Sequence, residues 1–376
     1  MIGAPITLPT RWLAVSLLNG KILCDLPGVV ATNPARRTMN SVETQDVQFF
    51  VDQNTNPDWD FATEGKTSAL IAYIEVGGKP IIQWGGIITK KVVDSSNGLN
   101  MATLSLATLE AYLDDRYTGA YTTDPSGVGA TVDQNVIAQI LVNNFVVANQ
   151  GIPFNAQIVG AAGSPRFEQY NDFDDKTVLS NLQTLAGLYQ GIQFTAWWSW
   201  NPDNTITPTF TVGSRIGKAA TAGLAPSVTF DNSMLTQFSV SKDWSKGQGA
   251  NDVMAVGNGQ GLSRPTGEIV GASFGNRPRV QYRYNPTTSI WDPQTMTQHA
   301  QGAFALLANG TTIVTLKAPM NSGPMFGVDW DLGDDIGYQL SGPAVPRGIS
   351  GVGQVFAYET DHSTYMSPIL RVLTPI

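Results

Sequence analysis

Leu70-Ile71-Ala72-Tyr73-Ile74-Glu75-Val76-Gly77-Gly78-Lys79-Pro80-Ile81-Ile82-Gln83-Trp84-Gly85-Gly86-Ile87-Ile88-Thr89-Lys90 consists of two apolar runs divided by a pair of glycines. Such β-branched and aromatic runs suit a pleated strand, and Gly77-Gly78 supplies the positive φ values of a tight turn. The stretch therefore predicts a hairpin, with strands over 70–76 and 80–90. The second glycine pair, Gly85-Gly86, falls inside the returning strand, where it marks a bulge or a sharp bend of the kind found in a small barrel. Outward from this hairpin, residues 12–17 and 47–51 precede it and 102–106 follow it with strand patterning. Residues 1 to about 120 read as one β-domain.

Residues 121–129, rich in Thr, Pro, Gly and Ser, read as a linker. Two helices are predicted beyond it. Val132, Val136, Ile137, Ile140, Leu141 and Phe145 share one helical face, with Thr131 or Asp133 as cap. Val178, Leu179, Leu182, Leu185, Ala186 and Tyr189 form a second stripe, with Asp174 or Asp175 as cap and Gly191 as a left-handed terminus. A Trp-rich hairpin follows, with Ile192, Phe194, Ala196, Trp198 and Trp200 alternating, a turn at Asn201-Pro202-Asp203-Asn204, and Phe210 and Val212 returning. Strands resume from about residue 228, at 228–230, 238–240, 252–257 and 280–284. One helix over 292–309 interrupts them, with Asp292 as cap and Pro293 first. Strands at 312–318, 336–340, 354–359 and 369–373 finish the chain. A faint internal repeat sets Trp84-Gly85-Gly86-Ile87-Ile88 beside Ser350-Gly351-Val352-Gly353-Gln354-Val355.

Composition narrows the function. Charged residues are 14% of 376 and apolar residues 42%, against roughly 25% charged in an average soluble chain. So sparsely charged a surface suits a protein that buries its faces in an assembly. Lys and Arg number 22 against 30 Asp and Glu, a net charge of −8, which opposes a role that depends on neutralising phosphates. The basic pairs are short, Arg36-Arg37 and Lys90-Lys91. One cysteine, Cys24, and two histidines, His299 and His362, exclude a thiolate or imidazole zinc site, and Cys24 reads as a small core residue. No signal peptide and no apolar run long enough to span a bilayer is read.

Carboxylates alone are plentiful enough for catalysis. Asp114-Asp115, Asp174-Asp175 and Asp334-Asp335 each resemble an acid/base pair, but sequence neighbours on a strand or helix point apart. They read instead as a solvated helix end, a helix cap and a turn between strands. Asp329, Asp331, Asp334 and Asp335 have the oxygen density of a calcium loop without its spacing or terminal Glu, so metal binding at 329–335 stays open. Gly257-Asn258-Gly259-Gln260-Gly261 imitates a nucleotide fingerprint but opens no helix. Trp197 is a candidate sugar platform, with Trp198 and Trp200 on the core face. His299 lacks a Ser or Cys partner. No catalytic residue, cofactor site or metal site is assigned.

Several segments, in order, resemble the baseplate-hub and tail-tip minor tail proteins of long-tailed phages, the T4-hub-like family. They are Leu109-Glu110-Ala111-Tyr112-Leu113-Asp114-Asp115-Arg116, then 176–186 and the Trp-rich hairpin, then Gly213-Ser214-Arg215-Ile216-Gly217. Asn251-Asp252-Val253-Met254-Ala255-Val256-Gly257, similar to the family's second-barrel strand, and Leu332-Gly333-Asp334-Asp335-Ile336 complete the series. The resemblance implies a mainly β chain with two tail-tube-type β-barrels, over 1–120 and 228–376, around an α+β insertion over 121–227. It further implies a non-enzymatic virion protein, assembled in the host cytoplasm as a homotrimer that adapts a hexameric tail tube to a threefold tip. Distal tail or tail-tube, tape-measure and central tip or fibre proteins would be its partners, and DNA would pass without specific binding. A surface carbohydrate-binding β-protein and a tail-associated cell-wall hydrolase are the alternatives.

Overall fold

The computed structural model describes residues 9–52, 55–96, 99–126, 130–220, 225–245, 248–257, 261–271, 277–286, 293–308, 310–320 and 323–372. The first segment runs β1 (Arg11–Ser16), β2 (Ile22–Asp25), β3 (Val30–Ala31), β4 (Ala35–Thr38), β5 (Thr44–Val51), α1 (Trp59–Ala62), β6 (Ser68–Val76), β7 (Lys79–Ser96) and β8 (Leu99–Ala107). Seven of these strands make an antiparallel sheet in the order β2-β1-β6-β7-β8-β5-β3. Its length comes from β7, whose first half pairs with β6 and whose second half pairs with β8. Inward residues from all but the shortest strand, among them Trp12, Cys24, Val47, Leu70, Trp84 and Leu104, meet in one cluster. Side chains from so many strands can share a core only if the sheet curls on itself.

The glycine pair behaves differently from expectation. Gly85 and Gly86 sit in regular register opposite Ile71 and Leu70, and the bulges fall at Gln83 and Thr89. What the glycines provide is room. A Cβ on Gly85 would lie 2.6 Å from the Trp198 indole, and one on Gly86 2.6 Å from the Trp84 ring. The strand thus admits a foreign tryptophan against its outer surface.

The middle segment contains α2 (Glu110–Asp114), β9 (Tyr121–Thr122), β10 (Val132–Asp133), α3 (Gln134–Val142), β11 (Asn155–Ile158), β12 (Pro165–Arg166), β13 (Gln169–Tyr170), α4 (Val178–Ala186), β14 (Gln193–Trp200) and β15 (Ile206–Gly213). The stretch expected to be a linker is partly paired, since β9 joins β13, while 127–129 lie outside the described residues. Asp133 caps α3 by accepting from the Asn135 amide. The buried face of α3 is Ile137, Ala138, Leu141 and Val142, rotated from the expected stripe, because Val136 and Ile140 are only half buried. A π-helical turn, Asn143–Val147, extends it. Thr177, rather than Asp174 or Asp175, caps α4, because Asp172–Asp174 form a separate 3₁₀ turn and Asp175 is left-handed. Gly191 is not left-handed either. A Cβ there would strike the Leu185 carbonyl at 2.4 Å, while Gln190 carries the positive φ. Leu13, Val15, Ile71, Tyr73 and Ile87 from the outer face of the first sheet join Leu141, Leu182, Phe194 and Trp198 in one core, so β1 and β6 are buried on both faces.

The remainder runs β16 (Thr229–Asp231), β17 (Gln237–Asp243), β18 (Asp252–Val256), β19 (Thr266–Val270), β20 (Gln281–Tyr284), α5 (Pro293–Leu307), β21 (Thr311–Pro319), β22 (Asp335–Gly342), β23 (Val345–Thr360) and β24 (Tyr365–Arg371). A second curled sheet has the order β16-β22-β23-β24-β21-β17. β4 joins it by pairing with the far half of β23, so a strand from the first segment completes the second sheet. The long strand β23 repeats the part of β7, pairing first with β22 and then with β24 across a bulge at Phe356. The faint repeat in the sequence coincides with these two strands. Segment 251–257 is not in the second barrel, as the resemblance implied. It forms β18, the middle of a separate three-stranded sheet with β19 and β20 that α5 covers. The expected cap Asp292 lies outside the described residues. The chain is thus mainly β with helical insertions, the fold class expected.

Candidate functional site

The segments meet at a buried polar junction. Arg37 leaves β4 for the interior, where its Nη2 donates to Thr195 Oγ1 at 2.7 Å and to the Ala196 carbonyl at 3.3 Å. Its guanidinium lies 3.6 Å from the centre of the Trp197 ring. From the other side Glu110 of α2 accepts from the Ala196 amide at 2.7 Å and from Thr195 Oγ1 at 3.3 Å. One short piece of β14 therefore joins the carboxylate of one segment to the guanidinium of another. Glu110 is fully buried, and that burial raises its carboxyl pKa in spite of Arg37 nearby. Sequence reading missed Glu110 and Thr195, and placed Arg37 only as one of a basic pair.

The first and second sheets are also tied directly. The Gln83 bulge turns its carbonyl toward Tyr358 of β23, whose hydroxyl donates to it at 2.7 Å, and Trp84 Nε1 donates to the Arg36 carbonyl at 3.0 Å. His362, in the β23–β24 turn, is buried between Gln45 and the edge of Trp12. Burial lowers its pKa to about 3, and burial together with Arg166 lowers that of His299 to about 4. Both lie below the usual imidazole value of about 6.5. Each histidine therefore contributes stability that is full above about pH 6.5 and is lost as pH falls toward its folded value. Neither imidazole should titrate between about pH 7 and pH 5 in carbon-labelled histidine spectra. A His362→Gln variant should lose about 2 kcal/mol less stability than the parent over that interval. A midpoint near 6 for either ring would contradict the burial.

Two segments singled out in the sequence come together beside this junction. Asp334 accepts the Lys218 amide at 2.7 Å, and Asp335 accepts the Ala220 amide at 2.8 Å and the Arg215 guanidinium at 2.5 Å. Gly217, at φ +82°, and Gly333, at φ +94°, face each other with backbones so close that a Cβ on Gly217 would lie 2.1 Å from the Gly333 carbonyl carbon. The dense carboxylates of 329–335 thus go to protein donors. Among the described residues no group of three His, Cys, Asp or Glu side chains could hold a metal ion. A cleft of about 390 Å³ opens over this turn, walled by Arg37, Trp197, Trp330, Asp331 and Lys218.

The other candidates have structural employment. Asp114 accepts from Thr177 and Asp115 pairs with Lys66 at the end of α2. Arg116, closing the same segment, donates to the Phe145 and Asn149 carbonyls at the end of the π-turn. Trp197 is covered on one face by Arg37 and meets Phe326 edge-on. The Gly257 amide, just past β18, bonds to the Pro265 carbonyl, and 258–260 lie outside the described residues. Cys24 is buried in the first core, and burial raises its thiol pKa. No helix among the described residues is long and apolar enough to cross a membrane. The polar contacts of the junction fasten the segments to one another.

No protein-family model and no curated protein matches the sequence. Solved structures do match. The tail protein from Neisseria meningitidis MC58 superposes with a TM-score of 0.57 at 13% identity, covering 97% of each chain. The 43 kDa tail protein of prophage MuSo2 from Shewanella oneidensis gives 0.55 at 10% identity, covering 96% of this chain and 98% of that one. Prophage tail protein gp18 from Listeria monocytogenes EGD-e gives 0.50 at 11% identity, covering 96% and 94%. Over nearly its whole length, the chain has the fold of prophage tail proteins.

Proposed function

We propose that the chain is a structural baseplate-hub protein of a phage tail tip, assembled in the host cytoplasm as a homotrimeric ring. The observation that carries this reading is the duplication of one architectural device. Two curled sheets, each organised by a long bulged strand, β7 or β23, lie at the two ends of one chain. Three copies would present six such sheets, the number needed to meet a hexameric tube, and closed cyclic symmetry is the common solution for such rings. In this reading 1–120 and 228–376 hold the two barrel domains, the second interrupted by the separate sheet of β18 to β20 with α5, and 121–227 is the insertion. The tail-tube or distal tail protein, the tape measure and a central tip or fibre protein would be its neighbours. It performs no catalysis.

A ring that conducts DNA must not hold it. Three chains at −8 sum to −24, and like charge around a passage disfavours docking of a duplex. Three of the four residues in the basic pairs are held by other groups of the chain. Arg37 is buried, Arg36 lies 3.7 Å from Glu43, and Lys91 bonds to Asp60 and Glu64, which leaves Lys90 exposed. Native mass spectrometry and electron microscopy of the purified protein should show three copies in a ring with pseudo-sixfold features. The ring should not bind duplex DNA at about 0.15 M salt. Six copies per ring, or duplex binding that weakens steeply with salt, would overturn the reading.

A further inference from the structure

Residues 244–310 are an excursion from a single hairpin end. The β17–β21 ladder closes at Asp243 opposite Thr311, and everything between returns to that point. The excursion has a core of its own. Ala250, Val253, Ala255, Met296 and Ala300 pack together with Ile269, Tyr282 and Tyr284, and none of residues 248–308 belongs to the other three hydrophobic clusters. Among the described residues, the excursion therefore shares no hydrophobic cluster with the rest of the molecule.

Two polar fastenings hold it. At the neck, Arg277 lies 5.0 Å from the Trp244 ring and donates to the Gly249 and Ala308 carbonyls, with Gly249 and Gly310, both at positive φ, against the same indole. At the far end α5 meets the middle segment. Arg166 donates to Gln298 Oε1 at 2.6 Å, to the Tyr189 carbonyl at 2.6 Å and to Gln134 Oε1 at 3.1 Å. The Tyr189 amide donates to the Gln298 carbonyl at 3.1 Å, and Gly302 lets α5 approach so closely that a Cβ there would lie 2.8 Å from the Gly187 carbonyl oxygen. His299, buried in this contact, leaves Nε2 without a partner. Solvating that nitrogen on undocking offsets part of the hydrogen bonding that the docked face provides.

We propose that the described residues between 248 and 308 form a hinged module that undocks about the Asp243–Thr311 end of the ladder, with the Arg166–Gln298–Tyr189 cluster as its latch. Interfaces without apolar burial are those at which relative motion is expected, and a module with its own core can move without unfolding. Undocking opens the groove of about 400 Å³ that Gly302, Ala305 and Leu306 share with Asn40, Gln354 and the 186–193 segment. The device does not depend on the ring, since every residue in it belongs to one chain.

Hydrogen exchange on the full chain tests it. The Tyr189 amide should exchange at least about tenfold faster than amides of β14 and β18, because it is freed by undocking while those are freed only by unfolding. Gly302→Val, which crowds Gly187, should accelerate Tyr189 by a further factor of about ten and leave β14 and β18 unchanged. Gln298→Ala, which removes one latch contact without crowding, should move Tyr189 in the same direction. Exchange of Tyr189 in step with β14 or β18, or variants that speed β18 as much as Tyr189, would show that the module does not undock and overturn the proposal.

Discussion

Replacing Gly217 by alanine should lower stability by about 4 kcal/mol, one of the largest effects of any single methyl group in this chain. Two costs add. An L-residue held at φ +82° is strained by roughly 1–2 kcal/mol. A Cβ placed 2.1 Å from the Gly333 carbonyl carbon must displace backbone, since no flexible side chain can yield, and overpacking of this kind costs about 1–3 kcal/mol. Displacement also loosens the bonds from Lys218 and Ala220 to Asp334 and Asp335. Gly78→Ala is the control. Its φ is +79°, but nothing lies within 4 Å of the added carbon, so only the conformational cost of about 1 kcal/mol remains. Chemical denaturation of both variants separates the terms. Equal losses at the two positions would mean that the Gly217–Gly333 approach contributes nothing, and that the Gly-Asp turn is not a clamp.

These glycines show what the sequence made legible and what it hid. The strands around the first hairpin, the Trp-rich hairpin and the apolar stripe of α4 were readable because local patterning decides them. A period of two or 3.6 survives any arrangement of neighbours. The need for glycine at 217, 333 and 85 was not readable in the same way. Each is set by a segment distant in sequence, such as the Trp198 ring against Gly85. The same limit explains the helix caps. Asp174 and Asp175 are good capping residues, but the 3₁₀ turn before α4 consumed them and Thr177 was the next able to accept an amide. It explains β4 as well, where Ala35-Arg36-Arg37-Thr38 has no apolar alternation and becomes a strand because β23 offers it an edge. The separate sheet of β18 to β20 was hidden for a related reason. Its strands look like any others, and only their partners set them apart.

Arg37 is where partner choice matters most energetically. An Arg37→Met variant keeps much of the stem and loses the charge, so it isolates the electrostatic part of the junction from its packing. It should be destabilised by about 3–5 kcal/mol near neutral pH, because removing a buried charge leaves the opposite buried charge it offsets uncompensated. The carboxylate left behind is Glu110, fully buried, with Oε2 already lacking a hydrogen-bond partner. Glu110 has a pKa above the usual carboxylate value even with Arg37 in place. A carboxyl raised on folding contributes stability that is full below its unfolded pKa and is lost as pH rises through its folded pKa. Without Arg37 that folded pKa must rise further, so the variant should lose stability with rising pH over a wider interval than the parent. Adding Glu110→Gln removes the buried charge and retains an acceptor for the Ala196 amide. The double variant should therefore recover a large part of the loss and lose the added pH dependence. Urea titrations of the four proteins at two pH values complete the cycle. Additive losses, with no rescue by Glu110→Gln, would mean that Arg37 acts only through Thr195, Ala196 and the Trp197 ring, and that the two buried charges do not couple the first and middle segments.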